Sequence, residues 1–239
     1  MHIEEQEGLI DDFAVRCFRD TGDQDYIHAR LAYRTGLHQQ FLWSSLQVLE
    51  KYLKAILLFS RIPSKNLGHD LAEALKLLDK LPFKLELHDR TFEFIEFIDM
   101  FGGDRYQVGS SYVYGPKLYE LDSTVWDVRR YCQKMLDEFD IIRANQAVKY
   151  PYHQYRVYGG LLEEILQRKK HPSRPALVWQ NVFYTKKPRK TVRQPVHMHA
   201  TNSPLSLAPE LIAIIEQYVH IPRAYREAYR SQMAANLDY

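Results

Sequence analysis

Phe41-Leu42-Trp43-Ser44-Ser45-Leu46-Gln47-Val48-Leu49-Glu50-Lys51-Tyr52-Leu53-Lys54-Ala55-Ile56-Leu57 is the stretch on which the reading of the fold turns. Phe41, Leu42, Leu46, Leu49, Leu53, Ile56 and Leu57 recur at intervals of three and four. That period puts them on one side of an α-helix, running from about residue 37 to 60, with that side buried. Glu50 and Lys54 stand four apart on the polar side, in the order that supports a helix. Pro63 prevents continuation.

Working outward, the same pattern repeats. On the N-terminal side, Asp23-Gln24-Asp25 can cap a helix carrying Tyr26, Ala29, Arg30 and Tyr33, which Gly36 would stop. On the other side, His69 to Lys80 places Leu71, Ala74, Leu75 and Leu78 on one face, and Pro82 closes it. Asp89 caps a segment with Phe92, Phe94, Ile95, Ile98 and Phe101, ended by Gly102-Gly103. A Gly/Ser/Tyr loop is expected from Gly102 to Pro116. A last helix, opened by Asp122 or Ser123, would carry Val125, Trp126, Tyr131, Met135, Leu136 and Phe139. Amphipathic helices joined by short connections predict a mainly α chain, an up-and-down bundle over residues 20–145.

These residues resemble the HEPN family (higher eukaryotes and prokaryotes nucleotide-binding). The resemblance is carried by Asp25-Tyr26 with Ala29-Arg30, by Leu49-Glu50-Lys51-Tyr52-Leu53-Lys54-Ala55, by His69-Asp70-Leu71 and by Asp104-Arg105-Tyr106. It implies an all-α bundle assembled as a homodimer, and work on nucleotides or RNA. It also implies the company of nucleotidyltransferases, or of toxin–antitoxin and defence modules. Many family members are metal-independent ribonucleases with Arg-x(4–6)-His near the last helix. Here no histidine occurs between His88 and His153, and Arg129 and Arg130 lack such a partner. The acid–base step then has no evident carrier, so catalysis is not carried over and no catalytic residue is assigned. The match to the family pattern makes Arg105 and Tyr106 the candidates for nucleotide contact, through a guanidinium fork for phosphate and a ring for a base. Lys51 would add charge, and His69 completes the candidate set. Alternatively, Lys51 is the solvated edge of a buried helix and His69 a helix-start residue.

Composition is that of an ordinary globular protein: 239 residues, 46% apolar, 26% charged, net charge +2. No apolar run approaches the roughly 20 residues of a membrane span, and the acidic start Met1-His2-Ile3-Glu4-Glu5 does not read as a secretory signal. Cys17 and Cys132 form no Cys-x-x-Cys pair and fit a reducing cytoplasm. No cofactor is called for.

The charge is segregated. Residues 1–149 hold 19 Lys+Arg and 24 Asp+Glu, a net of −5, whereas residues 150–239 hold 13 and 6, a net of +7. Nine basic residues and no acidic one lie between Arg168 and Arg193. Residues 146–239 therefore read as a smaller, basic α/β appendage. It would hold a helix from Leu161 to Lys170, a hairpin of Ala176–Thr185 with Thr191–His199, and two C-terminal helices. The turn residues Lys186, Lys187, Arg189 and Lys190, with Arg193, form a candidate nucleic-acid surface; the same charges could instead dock on the acidic first part. Trp179, Phe183 and Tyr184 either stack on bases or pack as core. His197 and His199 share a strand face but show no third ligand, so no metal site is assigned. Three functions follow: a non-catalytic module binding a nucleotide or RNA, a homodimeric interaction component partnering another enzyme, or an atypical ribonuclease using His153 or His171.

Overall fold

A computed structural model describes residues 3–104, 108–134, 160–185, 195–201, 203–219, 221 and 223–237. The described residues are mainly helical, with one two-stranded sheet among them. It divides into two compact units. One comprises Met1–Gly103 with Pro116–Pro195, the other Asp104–Gly115 with Val196–Tyr239. The division therefore does not follow a cut near residue 145: residues 160–185 belong with the helices, and residues 104–115 with the C-terminal strand and helices.

In the first unit, α1 (Ile3–Phe13) passes through a π-helical stretch, Ala14–Arg19, into α2 (Asp20–Arg34). The helix thus does not begin at Asp23-Gln24-Asp25 as the sequence suggested. Asp23 sits inside it, fully buried, because its carboxylate serves partners on other elements rather than a helix start. Gly36 ends α2 as expected. It adopts φ +77°, which a residue with a side chain rarely takes, and the chain turns back with Leu37 N–H donating to Ala32 O at 2.8 Å.

Next come α3 (His38–Phe59), α4 (Leu71–Leu78), α5 (Asp89–Phe101), α6 (Lys117–Arg129), α7 (Leu161–Gln167) and α8 (Arg174–Val178). Every residue of the α3 stripe is buried, and Val48, Tyr52 and Ala55 widen it. α3 therefore lies at the centre and packs against α2, α4, α5 and α6. Asp70 caps α4 by accepting from Glu73 N–H at 2.7 Å. α5 is preceded by His88 as its cap residue, with Asp89 in its first turn. α6 begins five residues earlier than Asp122, directly after Pro116. Met135, Leu136 and Phe139 lie outside the described residues.

Gly102 closes α5 where no side chain fits. A Cβ there would stand 2.7 Å from Ile98 O, 2.9 Å from Leu46 Cβ and 3.1 Å from Leu42 O. Two of these neighbours are backbone and cannot swing away, so α5 would have to move off α3. Gly102→Ala is expected to destabilise the protein by about 1–3 kcal/mol in urea unfolding. A midpoint unchanged from the parent would contradict this close approach.

The expected strand Ala176–Thr185 is not formed. Arg174–Val178 is a helical turn, and residues 182–185 are bends. The run is uncharged because it is core: Ala176, Leu177, Val182, Phe183 and Tyr184 are buried against the helices. Trp126 on α6 packs on Phe183 and Tyr184 with ring centroids 5.9 and 5.2 Å away.

The second unit is built on strands β1 (Ser111–Gly115) and β2 (His197–Thr201), antiparallel, with Tyr112 opposite Ala200, Val113 opposite His199 and Tyr114 opposite Met198. β1 occupies the segment expected to be loop, and the partner of β2 is this strand rather than residues 176–185. Helices α9 (Pro204–Leu207), α10 (Ile212–Ile215) and α11 (Arg223–Leu237) follow. Leu205, Ile212, Ile221 and Tyr229 form a small core joined by Val108 and Tyr225. Asp104 accepts from Val108 and Gly109 N–H at 2.8 and 2.9 Å, which folds the entry to β1 back on itself.

Candidate functional site

Among the described residues of the first unit, charged side chains are clustered in its interior. Arg129, at the end of α6, is 4% exposed. It donates from Nε and Nη2 to the two oxygens of Asp23 on α2 at 2.6 and 2.7 Å. From Nη1 and Nη2 it donates to Glu163 on α7 at 2.6 and 2.8 Å. Tyr52 of α3 completes the group, its hydroxyl donating to Asp23 Oδ1 at 2.7 Å. One guanidinium fork thus serves two carboxylates, the geometry in which arginine exceeds lysine. Burial opposes ionisation of both acids. It prevails at Asp23, whose carboxyl is held above its ordinary value despite Arg129. At Glu163 the charge and hydrogen bonds of Arg129 outweigh burial, and the carboxyl lies below its ordinary value.

A second buried cluster lies on the same helices. Arg30 of α2 is wholly buried. It pairs with Asp122 of α6, donates from Nε to Ala176 O at 2.9 Å and donates from Nη2 to Trp179 O. The Tyr26 hydroxyl donates to Asp122 at 2.6 Å and accepts from Asn181 Nδ2 at 2.9 Å. Asn181 Oδ1 in turn accepts from Phe183 and Tyr184 N–H. In a third cluster, Asp127 accepts from Thr91 Oγ1 and from His88 N–H, each at 2.8 Å, and pairs with Arg130. These groups link α2, α3, α5, α6 and residues 160–184, although Asp122 Oδ2 and Arg130 Nε and Nη1 are buried without a hydrogen-bond partner among the described residues. They can fix the register of the helices, and Arg129, with all three guanidinium nitrogens bonded to Asp23 and Glu163, is held inside the unit. Cys132 follows Arg129 and Arg130, its thiol buried and pushed up by burial, the opposite of an activated nucleophile.

The residues expected to bind a nucleotide are differently placed. Lys51 pairs with Asp25 on α2. His69 Nδ1 lies 2.6 Å from Glu50 Oε2, and Lys54 donates to Glu50 Oε1 at 2.6 Å and to Gly68 O at 2.9 Å. Each of these side chains therefore already faces a carboxylate. Arg105 and Tyr106 lie outside the described residues, as do Lys186, Lys187, Arg189, Lys190 and Arg193. Both described flanks of that basic run are fixed to α2. Tyr184 packs on Tyr26 with centroids 6.2 Å apart, and Pro195 O accepts from the Tyr33 hydroxyl at 3.2 Å. Before the run, Arg168, Lys169 and Lys170 are exposed beyond α7.

Among the described residues no three His, Cys, Asp or Glu side chains are grouped to hold a metal. No helix of the described residues is long and apolar enough to cross a membrane. A cavity of about 520 Å³ beside α4 and α5 is lined by Leu75, Leu78, Phe83, Leu85, Leu87 and Phe92, with Lys84 as its one cation. Asp79 also lines it, so its one cation is accompanied by a carboxylate.

Sequence reasoning missed the outer face of the β1–β2 ribbon. Tyr112 and Tyr114 are each 61% exposed and Met198 71%, while Val113 between the tyrosines is buried. The alternation Tyr-Val-Tyr carried that signal; the surrounding glycines and serines masked it. No family model matches this chain, and neither a curated protein nor a solved structure matches it.

Proposed function

We propose that this chain is a non-catalytic, HEPN-like module that binds RNA through the basic segment between Arg168 and Arg193. The observation that carries this reading is the charge segregation: nine cations without an acid in that segment, on a chain whose first 149 residues are net acidic. Such a stripe attracts a polyanion and neutralises its phosphates. The anchoring of its described flanks on Tyr26 and Tyr33 supports presentation of the segment from the helical unit. A free nucleotide is the weaker ligand, because Lys51, Lys54 and His69 already face Asp25 and Glu50. Catalysis is not proposed, because Arg129 is consumed by two buried carboxylates and neither it nor Arg130 has a histidine at the spacing the ribonucleases carry.

Fluorescence anisotropy with labelled RNA across a salt series tests the reading. With about five phosphates neutralised, the logarithm of affinity should fall with the logarithm of salt at a slope near −3.5 for a single strand. The triple variant Lys186→Glu/Lys187→Glu/Arg189→Glu should flatten that slope and weaken binding. No binding at low salt, or binding indifferent to the triple reversal, would overturn it.

A further inference from the structure

We infer that residues 83–87, between α4 and α5, are an open strand edge through which two copies of this chain pair, antiparallel and centred on Leu85. The pairing goes beyond the RNA-binding reading and does not depend on it. From 81 to 88 the side chains alternate, half-buried at the odd positions and exposed at the even ones. That is the period of an extended chain. The backbone groups of its even residues are engaged within the unit. Glu86 N–H donates to the Tyr131 hydroxyl at 3.1 Å, and Glu86 O accepts from Arg130 Nη2. His88 N–H donates to Asp127 Oδ2 at 2.8 Å. In an extended chain the odd residues aim their N–H and C=O groups the opposite way. Among the described residues, no hydrogen bond reaches the N–H or C=O of Phe83, Leu85 or Leu87. Such a row of open donors and acceptors is a template for another extended backbone. Pro82, which has no N–H, closes the row on one side, and the turn into α5 closes it on the other.

Charge complementarity selects a second copy as the occupant. In an antiparallel pair, residues directly opposite one another either both exchange backbone bonds or both do not. Two copies of this edge therefore meet about a whole residue: 84, 85 or 86. Centring on Leu85 sets Phe83 opposite Leu87 of the second copy and Leu85 opposite its own equivalent. Those are the open residues, and each pair exchanges two N–H···O=C bonds. Lys84 then stands opposite Glu86 of the second copy, and the two-fold axis repeats the contact. These are the non-hydrogen-bonded positions, with Cα atoms about 4.5 Å apart, where facing side chains are closest. Centring on Lys84 sets lysine against lysine, and centring on Glu86 sets glutamate against glutamate, so both alternatives are unfavourable. Among the described residues, neither the Lys84 ammonium nor the Glu86 carboxylate has an ion pair, so both are open to this contact. The sign pattern of the edge thus complements itself in a single register. The odd side chains of both copies fall on one face of the pair, which brings the apolar cavity lined by Phe83, Leu85, Leu87 and Phe92 beside its two-fold equivalent.

Analytical ultracentrifugation of the full chain over a concentration series tests the pairing. The parent should dimerise. Lys84→Glu and Glu86→Lys each turn two opposite-charge contacts into two like-charge ones, so each alone should raise the dimer dissociation constant about tenfold. The double variant Lys84→Glu/Glu86→Lys exchanges the signs and restores both contacts in this register, so it should dimerise as the parent does. Both side chains are exposed, and circular dichroism checks that the variants fold. Amide exchange followed by NMR reads the backbone directly. The Leu85 and Leu87 N–H groups should be protected in a concentrated sample and exchange freely in a dilute one. The Glu86 and His88 N–H groups, bonded within the chain, should keep their protection in both. A chain monomeric at every concentration, or a dimer indifferent to the single reversals, overturns the edge pairing. So does a double variant that fails to regain the parent's dissociation constant, or Leu85 and Leu87 exchange that ignores concentration. None of these outcomes touches the RNA-binding reading, which the salt series tests separately.

Discussion

Arg129→Ala is expected to destabilise the protein by about 3–5 kcal/mol, the range observed when one member of a buried ion pair is removed. The loss is larger than the packing of one side chain because Asp23 and Glu163 remain. Both are buried, within contact of one vanished cation, and their mutual repulsion is no longer offset. The melting temperature should fall by roughly 6–20 °C for a chain of this size. Arg129→Lys should recover only part, since a single ammonium cannot supply two bidentate contacts. Removing all three charges together, as Asp23→Asn/Arg129→Met/Glu163→Gln, should be milder than Arg129→Ala alone. If Arg129→Ala melts within a degree or two of the parent, the network does not hold α6 and α7 on α2.

The same network explains what the sequence could and could not disclose. α3 was legible residue by residue, because a long helix at the centre of a helical unit writes its burial as a 3–4 stripe. Gly36 was legible because the left-handed turn after a helix favours glycine. Asp23 was misplaced because an acid that caps a helix and an acid buried within one look alike in sequence; only Arg129, 106 residues away, tells them apart. Residues 176–185 misled for a related reason. An uncharged run of branched and aromatic residues means burial, and periodicity over so few residues cannot separate a buried strand from a buried turn. Here Arg30 takes the carbonyls of Ala176 and Trp179, and a chain whose carbonyls answer a side chain is not forming a ladder. β1 was hidden because its partner lies some 86 positions along the chain, beyond the reach of any local pattern.

The candidate surfaces divide in the same way. Charge segregation needs no fold to be seen, so the basic run was evident at once. The exposed tyrosine pair needed the register, because exposure of Tyr112 and Tyr114 depends on which face of β1 is turned inward. The nucleotide candidates Lys51, on α3, and His69, before α4, needed geometry for the opposite reason: both read as open to a ligand until Asp25 and Glu50 are placed against them. Polar residues at the heart of the helical unit join its helices, while exposed rings lie on the small ribbon, the usual partition between scaffold and surface.

Above about pH 10 the helical unit is expected to unfold cooperatively, because its core contains phenols that cannot ionise in place. Burial pushes Tyr26 and Tyr52 well above the ordinary value, with the neighbouring Asp122 and Asp23 adding to it. Burial also carries Tyr33 to about 12 and raises Tyr131. The sign follows from proton uptake. Below about pH 10 the phenols are protonated in both states and the contribution is fully present; above it the unfolded chain releases protons that the folded chain retains, so stability falls until the folded values are reached. Each such group removes up to about 1.4 kcal/mol per pH unit, so Tyr26 and Tyr52 alone remove close to 3 per unit. Against a total of about 5 kcal/mol, the lower end of the usual range, those two alone place unfolding about two units above pH 10, and Tyr33 and Tyr131 bring it closer. Far-UV circular dichroism and tyrosinate absorbance, followed together, should show most of the 17 tyrosines titrating gradually while a buried group appears abruptly as helix is lost. Tyr52→Phe removes one of those phenols and the hydrogen bond to Asp23, so it should lower stability near neutrality by about 1 kcal/mol and make the alkaline decline shallower. Smooth titration of all tyrosines near pH 10 with helix content intact would mean that the phenols of α2 and α3 are reached by solvent, and that the buried network they complete is not closed.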